Sequence, residues 1–279
     1  MASDYVKSSV SRWLRWFALA IVFAIACAFL ANWQLNRREQ VVKIIERIDR
    51  NYSHQRVRLE VMVPQLDQFK LSRQYRKVWV HGHYLADQAN LVRNRPQNGA
   101  QGFKQIVPFQ LDNGKVIVID RGWVPAGQSP ERPDSLPKVP AGTLYIDGRL
   151  QAGEAATATN TPPHQVTNID LPYLAKASRI PEGAFYSSAY LQLSGESPAP
   201  KGFAPQKEVR PDITEGNHLS YAFQWVIFAI MAFIALGWAI RQERLHLRAK
   251  NDPTFVVKKR KRVGDEDNDA EDALLAERD

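Results

Sequence analysis

Two uncharged apolar runs, Trp16 to Trp33 near the start and Tyr221 to Ile240 near the end, bracket a long polar segment. At 1.5 Å of rise per residue, each run is just long enough as a helix to cross a hydrocarbon core of roughly 30 Å. The pattern predicts a membrane hairpin: transmembrane helices over 16–33 and 218–240, residues 34–217 together on one side of the bilayer, and the ends, 1–15 and 241–279, on the other.

Basic residues beside the spans set the orientation. Lys7, Arg12 and Arg15 precede the first, and Arg241, Arg244, Arg248 and Lys250 follow the second, ahead of the run Lys258 to Arg262. Positive charge next to spans stays cytoplasmic, whereas loops longer than about 60 residues cross largely regardless of their charge. Both termini are therefore expected in the cytoplasm and the large domain outside it. The first span also has a small-x-small triplet, Ala26-Cys27-Ala28, of the kind a signal peptidase cleaves. Secretory apolar regions run only about 7 to 15 residues, however. This one continues through Phe29 and Leu30, with Trp13, Trp16 and Trp33 where interfacial aromatics anchor a helix that stays.

Cys27 is the single cysteine, so no disulfide closes within the chain, and the outer segment must stand on an ordinary core. Its length, near 180 residues, suffices for one domain. The net charge of +8 is uneven: from Val263 the chain turns acidic and poor in apolar residues, the composition of a disordered tail. The basic run ahead of it suits anionic membrane lipid. No zinc-finger spacing or other motif points to nucleic acid.

Along the outer segment, Leu35, Val41, Val42, Ile44, Ile45 and Ile48 fall at near-helical spacing, so the first helix is expected to continue to about Tyr52. After Pro64, short runs rich in Val, Ile and aromatics read as strands: Arg76–Tyr84, Asn90–Arg93, Phe103–Leu111, Lys115–Ile119, Thr143–Leu150 and Phe185–Leu193. Asp112-Asn113-Gly114 is a hairpin signal. Leu171–Ser178 reads as a helical patch, and Pro125–Pro140 and Pro198–Pro211 as proline-rich linkers. The fold class is thus a membrane α-hairpin of two transmembrane helices carrying one mostly antiparallel, barrel-like β domain outside the cytoplasm.

Chemistry concentrates where the second span opens. At 100° per residue, Tyr221 lies about 60° and Trp225 about 20° from the azimuth of His218. An imidazole, a phenol and an indole thus share a strip at the outer membrane boundary. Two readings stand side by side: an interfacial aromatic belt with a chance histidine, or a site for a flat apolar ligand such as haem, with His218 as axial ligand. His81 and His83 alternate on a strand and leave one sheet face, where a metal pair competes with two surface histidines. Glu243 and His246 form an isolated Glu-x-x-His; di-iron sites need two such motifs and further carboxylates. No Gly-x-Ser-x-Gly, Gly-x-Gly-x-x-Gly, Walker loop or His-Glu-x-x-His is present, so the common hydrolase, dinucleotide, nucleotide and zinc-protease signatures are missing.

Several blocks carry a family resemblance: Trp33-Gln34-Leu35-x-Arg37; Val80-x-Gly82-x-Tyr84; Pro108; Val118-Ile119-Asp120-Arg121-Gly122-Trp123-Val124-Pro125; and Asn217-His218-Leu219-x-Tyr221-x-x-x-Trp225. Together they resemble the Surfeit-locus protein one family, from Trp33 to about Trp238. The Arg-Gly-Trp-Val-Pro block and the Asn-His-Leu opening are the specific parts. The resemblance implies a non-enzymatic assembly factor, a chaperone, for cytochrome c oxidase or a related haem–copper oxidase, associated in bacteria with haem a. It carries the family's proposed haem-iron ligand over to His218, with Trp225 as neighbour. The partners implied are the oxidase catalytic subunit and the proteins of haem a synthesis or assembly. Asp120 departs from the family, many of whose members carry Asn there.

Haem propionates are anions, and Arg37 and Arg38 emerge at the same outer level. Arginine's forked donors serve a propionate or a lipid headgroup phosphate equally well. Arg121-Gly122-Trp123, placed at a strand end, reads as structural: glycine at a turn, tryptophan packing, arginine closing the strand. The rival function is a membrane scaffold that stabilises an oxidase assembly intermediate without touching haem. A sensor is disfavoured because roughly 39 residues after Ile240 are too few for a signalling domain. An envelope enzyme lacks a catalytic constellation. The expected location is the bacterial plasma membrane, ahead of the mitochondrial inner membrane, with the main domain periplasmic.

Overall fold

The computed structural model describes residues 2–129, 131–156 and 161–251, so the basic run Lys258–Arg262 and the acidic stretch from Val263 lie outside the described residues. In chain order the elements are α1 (Ala2–Tyr52), β1 (Val57–Arg58), the single turn α2 (Leu59–Met62), β2 (Lys77–Tyr84), β3 (Asn90–Val92), β4 (Gly102–Leu111), β5 (Val116–Pro125), β6 (Thr143–Ala152), β7 (Gln165–Val166), α3 (Leu171–Ala177), β8 (Ala189–Ser197) and α4 (His218–Asn251). The chain divides into two compact units, one joining the residues up to Glu39 with those from Glu215, the other Gln40–Thr214.

In the first unit, α1 and α4 are both long and apolar enough to cross a membrane. No glycine or proline interrupts α1 over its 51 residues, and its amphipathic continuation runs to Tyr52, as the spacing predicts. Arg12 pairs with Glu243, the Phe17 and Phe233 rings meet edge to face at 6.2 Å, and Gln34 meets His218, so the helices run antiparallel. The less exposed positions recur at alternating steps of three and four: Ala20, Ala24, Cys27, Ala31, Gln34 and Arg38 on α1, and His218, Ala222, Trp225, Ala229, Ala232, Leu236, Ala239 and Glu243 on α4. That 3.5-residue period is a coiled-coil seam. Its small side chains are those that let membrane helices pack without a hydrophobic driving force between them. Cys27 is buried in this seam. Phe23, Phe29, Phe223, Ile230 and Ile234 are exposed on the other faces, as befits a pair solvated by lipid.

The second unit is the barrel. β2 pairs with β6, β6 with β8, β8 with β5, β5 with β4, and the last residues of β4 return to β2. The first half of β4 instead pairs with β3, which carries β7. The pairing is mostly antiparallel, with β5–β8, β1–β2 and β3–β7 parallel. A closed ring of five strands in the order β2-β4-β5-β8-β6 is a Greek-key barrel of the OB type. Asp112-Asn113-Gly114 makes the β4–β5 hairpin, with Gly114 at a φ of 81° and the Asn113 side chain accepting from the Lys115 amide.

One core fills the barrel, with Val78, Val80, Phe109, Ile117, Ile119, Leu144, Ile146 and Leu191. The second lies outside β5, where Val92, Ile106, Val116, Val118 and Phe185 meet Ile169, Leu171 and Leu174 at the start of α3 and ahead of it. β5 is thus buried on both faces, which is why its opening run, Val116–Ile119, is continuously apolar rather than alternating. It also runs further than Lys115–Ile119, and this corrects the reading of the Arg-Gly-Trp block. Arg121, Gly122 and Trp123 lie inside the strand rather than at its end. Gly122, at a φ of 129°, stands beside the bulge where β4 shifts register between Gln105 and Ile106. β8 begins at Ala189 rather than Phe185.

Candidate functional site

The opening of α4 is set by the two residues before it. Gly216 takes a φ of 66°, which a side-chain-bearing residue adopts only with strain, and the chain then turns into the helix, the Tyr221 amide donating to the Asn217 carbonyl at 3.0 Å. His218 is the first helical residue and is half-buried on the seam toward α1. Its Nδ1 lies 2.9 Å from the amide oxygen of Gln34. One turn further along α1, the Arg38 guanidinium binds the Glu215 carboxylate at 2.8 Å. Gln34 and Arg38 are four residues apart and therefore on one face, so the two contacts form successive rungs between the helix ends. This pair is half-exposed and worth no more than about 1 kcal/mol by itself, so it leaves Arg38 free to exchange partners.

Tyr221 and Trp225 take different places. Trp225 lies on the seam with His218 and Ala222 and packs edge to face on Phe228 at 5.8 Å. Tyr221 stands off the seam and is 50% exposed. Arg37 is exposed as well. Leu219 and Tyr221 on the first turns of α4 and Trp33 beside Gln34 on α1 are exposed apolar side chains. The residues present fit a haem: an imidazole, exposed apolar and aromatic side chains for a macrocycle, and Arg37 and Arg38 for propionates.

The other histidine groupings are otherwise occupied. His81 and His83 leave the same outer face of β2, as the alternation predicts, but His81 binds the Asp112 carboxylate at 2.7 Å and lies against the Tyr145 ring, tilted, with centroids 4.3 Å apart, while His83 is exposed. Glu243 is taken by Arg12, and His246 is exposed. Among the described residues no group of three or more His, Cys, Asp and Glu side chains is placed to hold a metal ion.

The barrel buries charges that the sequence reading missed. Arg121 is wholly buried, donating to Gln105 Oε1 at 2.8 Å, to the Lys138 carbonyl at 3.1 Å and to the equally buried Glu196 at 3.2 Å. The Tyr84 hydroxyl donates to the other oxygen of Glu196, and burial together with that carboxylate pushes the phenol pKa well up. Next along the strand, Asp120 is also wholly buried and accepts from Lys104 Nζ at 3.1 Å and the Gly122 amide at 3.1 Å. Burial pushes its carboxyl pKa up against the pull of Lys104. Lys104 in turn reaches Glu208 at 2.7 Å. These groups pair with one another inside the barrel and so hold the fold, although Arg121 Nε keeps no hydrogen-bond partner. Their sequence signal was an alternation of charge within an apolar strand, Asp120-Arg121, which a surface-exposed strand end would equally produce.

Comparison with known proteins places these features in a family. The SURF1 family model matches residues 21–230, a stretch that includes both Gln34 and His218. An uncharacterised SURF1-like protein of Mycobacterium tuberculosis is 32% identical over 232 residues, covering 80% of this chain and 82% of the relative. Surfeit locus protein 1 of Arabidopsis thaliana is 23% identical over 275 residues, 79% of this chain and 77% of that protein. The cytochrome oxidase assembly protein SHY1 of Saccharomyces cerevisiae is 29% identical over 110 residues, 38% of this chain and 28% of that protein.

Proposed function

The chain belongs to the SURF1 family, and from that premise we propose that it is a membrane-bound assembly factor for cytochrome oxidase, a chaperone that holds haem a for the catalytic subunit. The yeast relative's name supports the oxidase assembly role. The observation that carries the haem reading is His218: a half-buried imidazole at the first turn of an apolar helix, with exposed aromatic surface on one side and arginines at the same level. A haem bound there would supply an iron for an imidazole to ligate and two propionate carboxylates. The protein's part is to present one imidazole nitrogen to the iron, to shield the macrocycle with Trp33, Leu219 and Tyr221, and to neutralise the propionates with Arg37 and Arg38.

The same reading places the barrel on the outer face of a bacterial plasma membrane. Arg12 and Arg15 precede the first span, and Arg241, Arg244, Arg248 and Lys250 follow the second, which favours cytoplasmic termini. Alkaline phosphatase fused after Gln128 is then active and the same fusion after Lys250 inactive; the reverse pattern removes the placement of His218 at the outer face.

The haem reading is tested by co-expressing the chain with the enzymes of haem a synthesis and purifying it in detergent. A Soret band is expected, abolished or strongly shifted in His218→Ala and retained in His81→Ala and His83→Ala. Apolar burial of the macrocycle contributes to binding independently, so the decisive readout is ligation by resonance Raman. Unchanged bands in His218→Ala remove His218 as the ligand. A protein free of haem that still supports oxidase assembly selects the scaffold.

A further inference from the structure

We infer that Gln34 is a positioning residue that fixes the tautomer of His218, leaving Nε2 as a bare, ligand-ready nitrogen. The inference rests on the proposed function for what the nitrogen binds, but the tautomer itself is a property of the protein alone.

An amide oxygen has lone pairs and no proton, so at 2.9 Å from Gln34 Oε1 it is Nδ1 that carries the hydrogen and donates. A neutral imidazole has one ring N–H. With that proton held at Nδ1, Nε2 keeps its lone pair in the ring plane. Histidines that bind metals are characteristically held this way, the far nitrogen donating to a fixed acceptor that sets both tautomer and ring angle.

Two further observations make the arrangement specific. The Nε2 edge of the ring lies over Gly216: a Cβ built there would stand 3.8 Å from Nε2 and 3.7 Å from Cδ2, in contact with the edge that must stay open. Glycine at 216 therefore serves the turn and brings no side chain against the Nε2 edge. The second is the Arg38–Glu215 rung one turn along α1. It marks the chain just before α4 as lying on the same face of α1 that presents Gln34, beside the contact between Gln34 and the ring. The amide also suits the role better than a carboxylate. It accepts the Nδ1 proton without adding a negative charge that would draw the proton away and make the ring a stronger donor.

The test uses the full chain in detergent, labelled with ¹⁵N-histidine and free of haem, with His218→Ala identifying the His218 resonances. In wild type the Nδ1 shift should be that of a protonated, pyrrole-type nitrogen and the Nε2 shift that of a pyridine-type one. Gln34→Leu keeps the helix and the bulk but removes the acceptor, so the two tautomers should mix. Gln34→Glu restores an acceptor and should restore the single tautomer. A role limited to packing predicts no change in Gln34→Leu. With haem added, Gln34→Leu should weaken binding by about 10- to 100-fold, and Gln34→Glu should lower the midpoint potential. A wild-type Nε2 that carries the proton overturns the inference, as does a Gln34→Leu protein with wild-type tautomer populations. If the tautomer behaves as expected but His218→Ala leaves haem binding untouched, the haem reading fails and the positioning of His218 by Gln34 stands.

Discussion

Gly122 approaches Gln206 so closely that a Cβ at position 122 would lie 2.3 Å from the Gln206 carbonyl oxygen. Next to it, the Trp123 and Gln206 backbones exchange two hydrogen bonds of 2.8 Å, which seats the proline-rich connector as a single extra rung on β5. Lys104–Glu208 and Lys207 Nζ to the Ser194 carbonyl hold the same connector on either side. The glycine of the Arg-Gly-Trp block thus answers to a residue more than eighty positions later in the chain.

Gly122→Ala should therefore loosen the connector as well as the strand. A side chain at a φ of 129° is strained by about 1–3 kcal/mol, and the clash with Gln206 adds to this. The expected result is a fall in stability of about 2–4 kcal/mol and faster tryptic cleavage after Lys207. Unfolding curves and a cleavage time course at wild-type values would show that the connector does not depend on the approach.

Arg121 and Glu196 make the second prediction. Removing one member of a buried pair leaves the other charged and unpartnered, which costs about 3–5 kcal/mol, whereas replacing both by apolar residues of similar volume is often neutral. Arg121→Ala should fail by that margin, and Arg121→Met combined with Glu196→Leu should recover most of it. The double-mutant cycle in chemical unfolding measures the coupling. Additive effects would mean that Gln105 and the Lys138 carbonyl, rather than Glu196, satisfy the guanidinium.

Asp120 gives a pH dependence with a definite sign. Its folded-state pKa lies above the ordinary aspartate value because of burial, so the folded protein holds that proton more tightly than the unfolded chain does. Stability from this group is greatest below about pH 4, the unfolded value, and declines as pH rises through the folded value. Asp120→Asn keeps an acceptor for the Gly122 amide and removes the titration. The variant should match wild type at low pH and exceed it at pH 7. A melting temperature at pH 7 below that of wild type would show that the Lys104–Asp120 attraction outweighs the burial cost.

What the sequence disclosed follows from how local each signal was. The helices α1 and α4, the Asn-Gly hairpin and most strands are written in short-range periodicity and turn chemistry, and they appear close to where those patterns place them. Barrel closure is not local. The return of β4 to β2 and the parallel β5–β8 pair are set by packing on both faces of β5, whose unbroken apolar run has no period to read. Gly122 was misplaced for the same reason, since its partner is distant in sequence. At the site, helical azimuth linked His218 to Trp225, and both lie on the seam. It could not place Tyr221 on the other side of the boundary between seam and exposed surface. Gln34 carried a usable signal: a polar residue in heptad register with Ala20, Cys27 and Ala31, within an otherwise apolar stripe.

The last prediction separates the barrel from the site. Residues 40–214 form one of the two compact units and contain both cores, along with the end of α1, where Asn51 donates to the Ser72 and Gln74 carbonyls and Tyr52 lies under the Arg149 guanidinium. Expressed alone, this segment should fold as a β-rich monomer, because its two hydrophobic cores and the Arg121–Glu196 and Lys104–Asp120 pairs lie within it. It retains His54, His81, His83 and His164 but lacks His218, Gln34 and the apolar helix faces. Haem titrated into it should therefore give no stoichiometric complex, and circular dichroism should show strand rather than helix. A helical spectrum would contradict the domain. One tightly held haem per chain on this segment would move the ligand from His218 to the barrel, with His81 as the first residue to replace.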